Sequence, residues 1–446
     1  MRALAVLSLL ALAACSTDSD GAKPSHSTGS GGSGAGWSTS TTTGANGGGG
    51  SGYGGGTTTS STSADGGGGG APIDCANPDK RCAQLFSYPA SNETSVELRG
   101  NFAPDGWTNG IPLVKQGSTW SVTVDMPWDI DVQYKFVIDG TTWITDPANP
   151  NEIDNGLGGK NSLSTGAKCA DFSCTPTPAL RFAILGDFGA AALGPPYAQS
   201  EADVAALIDG WSPELIVTVG DNNYPDGLAT TIDENIGQFY HSYISPYTGQ
   251  YGAGAATNRF FPCLGNHDWN SGNVQAYLDY FELPGNERYW DKQFGPVHVF
   301  CLDSEPQEPD GNTAGSVQGQ WLQSSLGASA APFRLVVAHR PPYSSGQHHS
   351  TDFMQWPFAD WGAHAVLTGH DHDYERLEVG GIPYVVDGFG GAESYPFGAI
   401  LPESLVRFTG GFGAVLVEVS PDQKTMRFMA ITTDGVLRDN FALTAN

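Results

Sequence analysis

Residues 336–349 read VVAHRPPYSSGQHH: an apolar run stops at His339, and a Pro/Ser/Gly loop then brings His348 and His349. The 446 residues contain only ten histidines, so three in one short segment are a concentration. Imidazoles gathered at a strand end suit metal ligation and proton transfer. Four other segments follow the same plan. GDFG (186–189) presents Asp187, GDNNY (220–224) presents Asp221 and Tyr224, GNHD (265–268) presents Asn266 and His267, and GHDH (369–372) presents His370 and His372. Each is weak alone, because Asp-Gly and Asn-rich tetrapeptides are ordinary turns. His370 and His372 are stronger: at i and i+2 in an extended segment they point to one face. Together the five argue against a purely structural role.

The elements that must position these groups are short apolar runs. RFAIL, ELIVTV, FFPCL, RLVVA and AVLT each precede one segment. Runs apolar on both faces read as strands buried between layers of an α/β fold. Residues 200–211 and 315–327 read as helices between them. In open α/β sheets the functional crevice lies beyond the carboxyl ends of the strands. Five strands therefore deliver carboxylate, phenol, amide and imidazole to one edge.

Upstream, residues about 84–166 alternate apolar and polar positions in SVELRGNF, TWSVTVDM and VQYKFVIDG, separated by Gly, Pro and Asp turns. That is the pattern of an antiparallel β-sandwich. Residues 16–71 are mostly Gly, Ser and Thr with few charges, and read as a disordered tether. The first 15 residues carry Arg2, an apolar run and the sequence LAAC. The run is too short to span a bilayer, so it reads as a signal peptide. The net charge of −27 excludes a general polyanion binder, because nucleic acid and anionic lipid reward Lys and Arg. With Cys15 set aside, six cysteines remain. Cys75, Cys82, Cys169 and Cys174 flank the sandwich and can pair within or between the two couples; Cys263 and Cys301 are buried thiols or a third bridge.

Two resemblances follow from these residues. In order, GD-x-G, GD-x-x-Y, GNH-D/E, V-x-x-H and GH-x-H resemble the calcineurin-like metallophosphoesterases over about residues 180–446. The Tyr of GDNNY narrows the likeness to purple acid phosphatases. It implies a four-layer α/β/β/α sandwich and a binuclear centre. One metal takes Asp187, Asp221, Tyr224 and His372; the other takes Asp221 as a shared bridge with Asn266, His339 and His370. Donor chemistry agrees. Two carboxylates and a phenolate are a hard set suited to Fe(III), whereas amide, imidazoles and one carboxylate suit divalent iron, zinc or manganese. His267, His348 and His349 are expected over the substrate, with His349 as the proton donor to the leaving group. A metal-bound hydroxide is the expected nucleophile, with an acidic optimum. The second resemblance is to early-set, glycogen-binding modules, carried by VELRGNFAPDGW, YKFVIDGTTWITDP and NS. It places Trp107, Lys135, Trp143 and Asn161 at sugar-binding positions. Finally, LAAC resembles the bacterial lipobox, with Cys15 as the lipid-modified residue.

The organisation expected is 1–15 signal peptide, 16–71 tether, 72–175 β-sandwich and 176–446 catalytic domain. The expected protein is an exported, lipid-tethered phosphomonoesterase of the cell envelope, with the outer membrane favoured. Its partners are organic phosphates and, through the sandwich, glucan; nucleic acid is not expected. A phosphodiesterase or nucleotide phosphatase on the same site, and a glucan-binding lipoprotein with secondary phosphatase activity, are the rival readings. His241, His298 and His364 lie outside the motifs and read as structural, and the acidic run DSEPQEPDG (303–311) reads as a solvated loop.

Overall fold

In the computed structural model the described residues are 75, 79–174 and 177–445. The expected signal peptide, Cys15 and the expected tether lie outside them. Strands from Lys80 to Ser164 alternate sides as expected and pair antiparallel into two sheets. Lys80–Pro89 and Thr119–Pro127 make the centre of one, and Val96–Gly100, Val132–Ile138 and Lys160–Ser164 the centre of the other. Phe86, Leu98, Trp120, Tyr134 and Phe136 fill the space between them. One strand departs from the simple pattern. In Val132–Ile138 the outward-facing Gln133 and Val137 are buried as well, so this sheet is covered on both faces.

From Leu180 onward the pattern is different, and so is the architecture. Leu180–Leu185, Leu215–Thr218 and Phe260–Phe261 run parallel, and Leu180–Leu185 continues antiparallel into Gly413–Val419, Thr425–Thr432 and Leu437–Thr444. A second sheet has Val297–Cys301, Phe333–Val337, Ala365–Thr368 and Ile382–Asp387 parallel at its heart. The antiparallel strands Tyr374–Val379 and Ser404–Phe408 lie at one edge. The near-continuous apolar runs have a direct cause: alternate residues feed separate cores. Val299, Leu335 and Val337 enter the core shared by the two sheets, while Phe300, Val336 and Ala338 pack outward with Leu322 and Leu326 of the Val317–Ala328 helix. The Tyr197–Trp211 helix lies against the other sheet. Two face-to-face sheets with flanking helices, behind an all-β module, are the expected fold class.

The two modules share one continuous core. Polar pairs reinforce the seam. Asp131 exchanges backbone hydrogen bonds with Gly435 and Leu437, and buried Asn101 donates to the Leu437 carbonyl while its own carbonyl accepts from Asn440 Nδ2. Arg181 pairs with Asp79 and Glu418. The disulfides join Cys75 to Cys174, Cys82 to Cys169 and Cys263 to Cys301, so the first four cysteines pair between couples and the last two form the third bridge.

Candidate metal centre

Each ligand-type residue lies just past a parallel strand, where the chain must turn sharply. Asp187, Asp221 and His370 adopt positive φ values of 54°, 53° and 73°. Non-glycine residues rarely take this conformation, and it collects at functional sites. The glycines before them are equally constrained. A Cβ on Gly220 would lie 2.6 Å from His339 Nδ1, and one on Gly369 would lie 2.3 Å from Asp187 Oδ2. The G of GD and GH is therefore required by the neighbouring ligand loop.

The turns bring the side chains together. Asp221, His339 and His370 form one group whose ligand atoms all lie within 4.8 Å of one another, and Asp187, Asp221 and His372 form a second. Asp221 is common to both. Asn266 joins the first through Oδ1, 3.1 Å from His339 Nε2. Tyr224 joins the second: its hydroxyl lies 3.1 Å from Asp221 Oδ2, 3.1 Å from His372 Nε2 and 3.3 Å from Asp187 Oδ1. A phenol has one proton to give, so three acceptor atoms around it cannot all be satisfied. A cation among these buried groups would satisfy them.

The imidazoles are set to receive one. His339 Nδ1 lies 3.0 Å from the Val219 carbonyl, and His372 Nδ1 lies 2.6 Å from that of Glu393. A carbonyl only accepts, so Nδ1 carries a proton in both rings, and Nε2 is the atom that faces the centre and would bind a cation once its own proton is displaced. The charges are strongly interdependent. Burial raises the Asp221 carboxyl, but facing imidazoles, His339 foremost, outweigh it and hold the group far below the usual range. Burial lowers His339, yet the charges of Asp221 and Asp187 push it to about 10. Tyr224 is driven well up by burial and by both carboxylates. A bound cation would reverse that last effect, because it stabilises a phenolate.

The three expected substrate histidines differ in position. His348 stacks on His370 at 4.4 Å between ring centroids. His267 packs over Tyr224 at 4.1 Å and donates its backbone N–H to Asp221 Oδ1. His349 is exposed, next to Gly398, and its imidazole makes no hydrogen bond or ring contact among the described residues. Asp268 bonds not to the His267 ring but to the backbone of Gly265 and Asn222, tying two ligand loops together.

Several groups were missed in the sequence. Arg340, directly after His339, places Nη1 at 3.0 Å from His370 Nε2 and is held by Glu305 through Nε and Nη2. Its position beside a V-x-x-H ligand was the signal. Asp371 accepts from His348 N and Ser344 Oγ and so anchors the histidine loop. Tyr395 stacks on His372 at 4.1 Å, from a segment with no motif. The acidic run 303–311 is not a solvated loop: Asp303, Glu305 and Glu308 are buried, and Glu305 and Glu308 pair with Arg340 and Arg288. His298 and His364 bond to Asp291 and Arg334, away from the centre. Trp107, Lys135, Trp143 and Asn161 gather along one wall of a separate cleft, where Asn161 is buried and donates to Gln133.

Comparison with known proteins finds matches for both modules. A family described as calcineurin-like phosphoesterase matches residues 180–374, and one described as the glycogen recognition site of AMP-activated protein kinase matches residues 84–167. Tartrate-resistant acid phosphatase type 5 of Mus musculus is 26% identical over 294 residues, covering 57% of this chain and 88% of its own. Purple acid phosphatase 5 of Arabidopsis thaliana is 24% identical over 242 residues, covering 51% and 54%. Purple acid phosphatase PPD1 from yellow lupin seeds superposes with a TM-score of 0.49 at 16% identity, covering 83% of this chain and 73% of that one. The chain thus carries a calcineurin-like metallophosphoesterase domain homologous to tartrate-resistant and purple acid phosphatases, behind a module of the glycogen-recognition type.

Proposed function

We propose that this protein is a binuclear-metal phosphoesterase that hydrolyses phosphate monoesters. Asp187, Asp221, Tyr224 and His372 would hold Fe(III), and Asp221, Asn266, His339 and His370 a divalent iron, zinc or manganese ion. When bound, such ions supply Lewis acidity toward phosphoryl oxygens and acidify water. The protein's own groups do the remainder. The carbonyls of Val219 and Glu393 orient His339 and His372. His348 over His370, and His267 over Tyr224, stand where an imidazole can meet charge on the phosphoryl oxygens and protonate the leaving oxygen. The stacked position of His348 supports it, rather than His349, as that proton donor. Overall, the oxygen of water joins phosphorus, the ester P–O bond breaks, and one water proton ends on the alcohol.

The observation that carries this reading is that buried Asp221 belongs to both ligand groups. Purified protein and Asp221→Ala are compared for metal content and for turnover of p-nitrophenyl phosphate and its bis-ester. The expectation is two ions per chain, faster monoester turnover, and loss of activity and metal in the variant. Removing partners of ligands costs about 10–100-fold, so loss of a shared ligand is expected to exceed about 100-fold. Undiminished turnover in Asp221→Ala rejects the reading, and faster bis-ester turnover makes the enzyme a diesterase.

The same proposal extends to location. The enzyme is exported and lipid-tethered through Cys15, with residues 16–71 as spacer and a module boundary near residue 175. Its support is the Arg2-led apolar run ending in LAAC and the Gly/Ser/Thr tract. Three disulfides fit an oxidising compartment. Cys15→Ser is expected to move the protein from the membrane fraction to the soluble one.

A further inference from the structure

A cleft of about 520 Å³ lies between the two modules. Trp107, Lys135 and Trp143 of the sandwich form one wall; Arg376, Arg407 and Phe408, from edge strands of the second sheet, form the other. Its volume falls within the range of small-molecule sites. The Trp107 and Trp143 rings lie 6.4 Å apart at an angle of 33°, and Trp143 is 43% exposed. Such a pair offers a broad flat surface to the C–H faces of a sugar.

The charge of the cleft is the unexpected feature. The chain has 20 Lys and Arg against 47 Asp and Glu. The cleft reverses that balance: Lys135, Arg376, Arg407 and Arg438 face only Asp105, Asp154 and Glu378. Two of the cations are already matched, Arg376 by Asp439 and Arg438 by Asp434. Lys135 and Arg407 make no ion pair among the described residues. Arg407 is nonetheless fixed in place, donating to Ser404 Oγ at 2.6 Å and, across the seam, to the Gly156 carbonyl at 3.2 Å. Lys135 alone could donate to the hydroxyls of a neutral glucan, but Arg407, brought from the other module, is a second cation that such a ligand does not require. A ligand with flat hydroxylated rings and a negative group would use both features.

We propose that this cleft binds a phosphorylated oligosaccharide, with Trp107 and Trp143 against the pyranose faces and Lys135 and Arg407 on a phosphate. This rests on the phosphoesterase reading for its consequence: phosphate esters on a polysaccharide become the substrate class. The strand Tyr374–Val379 links the two places, since Arg376 lies four residues beyond His372, on the order of 13 Å along an extended chain. A polymer anchored in the cleft is thereby kept close to the metal centre.

Calorimetric titration of the metal-loaded full chain with maltoheptaose and with phosphorylated maltodextrin tests the proposal. The expected result is at least about tenfold tighter binding of the phosphorylated chain, an advantage that shrinks with added salt. Because the metal centre also takes phosphate, the share of the cleft is what Lys135→Gln with Arg407→Gln removes, while Lys135→Arg keeps it. Trp143→Ala is expected to weaken both ligands. Equal affinities, no binding, or a preference that the double glutamine variant leaves undiminished overturns the proposal. Turnover of p-nitrophenyl phosphate is read on the same samples: its absence rejects the phosphoesterase reading alone, and turnover without oligosaccharide binding rejects the cleft alone.

Discussion

Arg340 Nη1 lies 3.0 Å from His370 Nε2, so a guanidinium stands directly beside one of the candidate ligands. It is held there by Glu305, which is almost wholly buried. Arg340→Gln is expected to raise KM for p-nitrophenyl phosphate roughly tenfold, the loss of one hydrogen bond to a charged group. It should also destabilise the fold by about 3–5 kcal/mol, because Glu305 is left as an unpaired buried charge. Adding Glu305→Gln should recover most of the stability and none of the KM. Urea denaturation and steady-state kinetics on the three proteins separate the two effects.

Tyr224 has no role in the core that phenylalanine could not fill, apart from its hydroxyl among Asp187, Asp221 and His372. A tyrosinate on Fe(III) gives visible absorption. Tyr224→Phe is therefore expected to bleach the purified enzyme while iron content, read by metal analysis, stays near the wild-type value. An unchanged visible band would mean that the colour has another origin.

Glu201 supplies a pH-dependent stability term away from the centre. Its Oε2 accepts from the backbone of Ala190 and Ala191 at 3.1 Å, and its Oε1 has no partner in the described structure. Burial raises its carboxyl well above the ordinary value of 4.5. A raised folded-state value means that the fold favours the protonated acid. The penalty is absent below the unfolded value and grows as pH rises toward the folded one. Glu201→Gln should thus leave Tm unchanged near pH 4 and raise it at pH 8, by about 2–4 °C for each kcal/mol recovered. Calorimetry at the two pH values checks the sign.

Asn101 tests whether the two modules stand or fall together. It is fully buried, its Oδ1 accepts from Gln133 N at 2.8 Å, and its amide and carbonyl both reach into the Leu437–Thr444 strand. Asn101→Ala strands partners on both sides of the seam, at about 1–3 kcal/mol for each group left unsatisfied. With a core continuous across the seam, one cooperative unfolding transition at lower urea is expected. Two resolved transitions would show that the modules unfold separately.

Local pattern was enough to read the main sandwich strands, the five strands that precede the motifs, the two long helices and the five ligand-bearing turns. Residues 200–211 and 315–327 were expected as helices; the first span lies within Tyr197–Trp211, and the second overlaps Val317–Ala328, which starts two residues later. These features follow from periodicity and from glycines that only a sharp turn requires, both of which act over a few residues. Other features depended on residues far apart in the chain. The placing of Arg340 on His370, the burial of 303–311 under Arg340 and Arg288, and the crossed pairing of Cys75 with Cys174 are of this kind. So is the second wall over Trp107 and Trp143. No local pattern encodes them, because each partner looks like an ordinary polar or exposed residue until packing removes water and leaves the other as its neighbour.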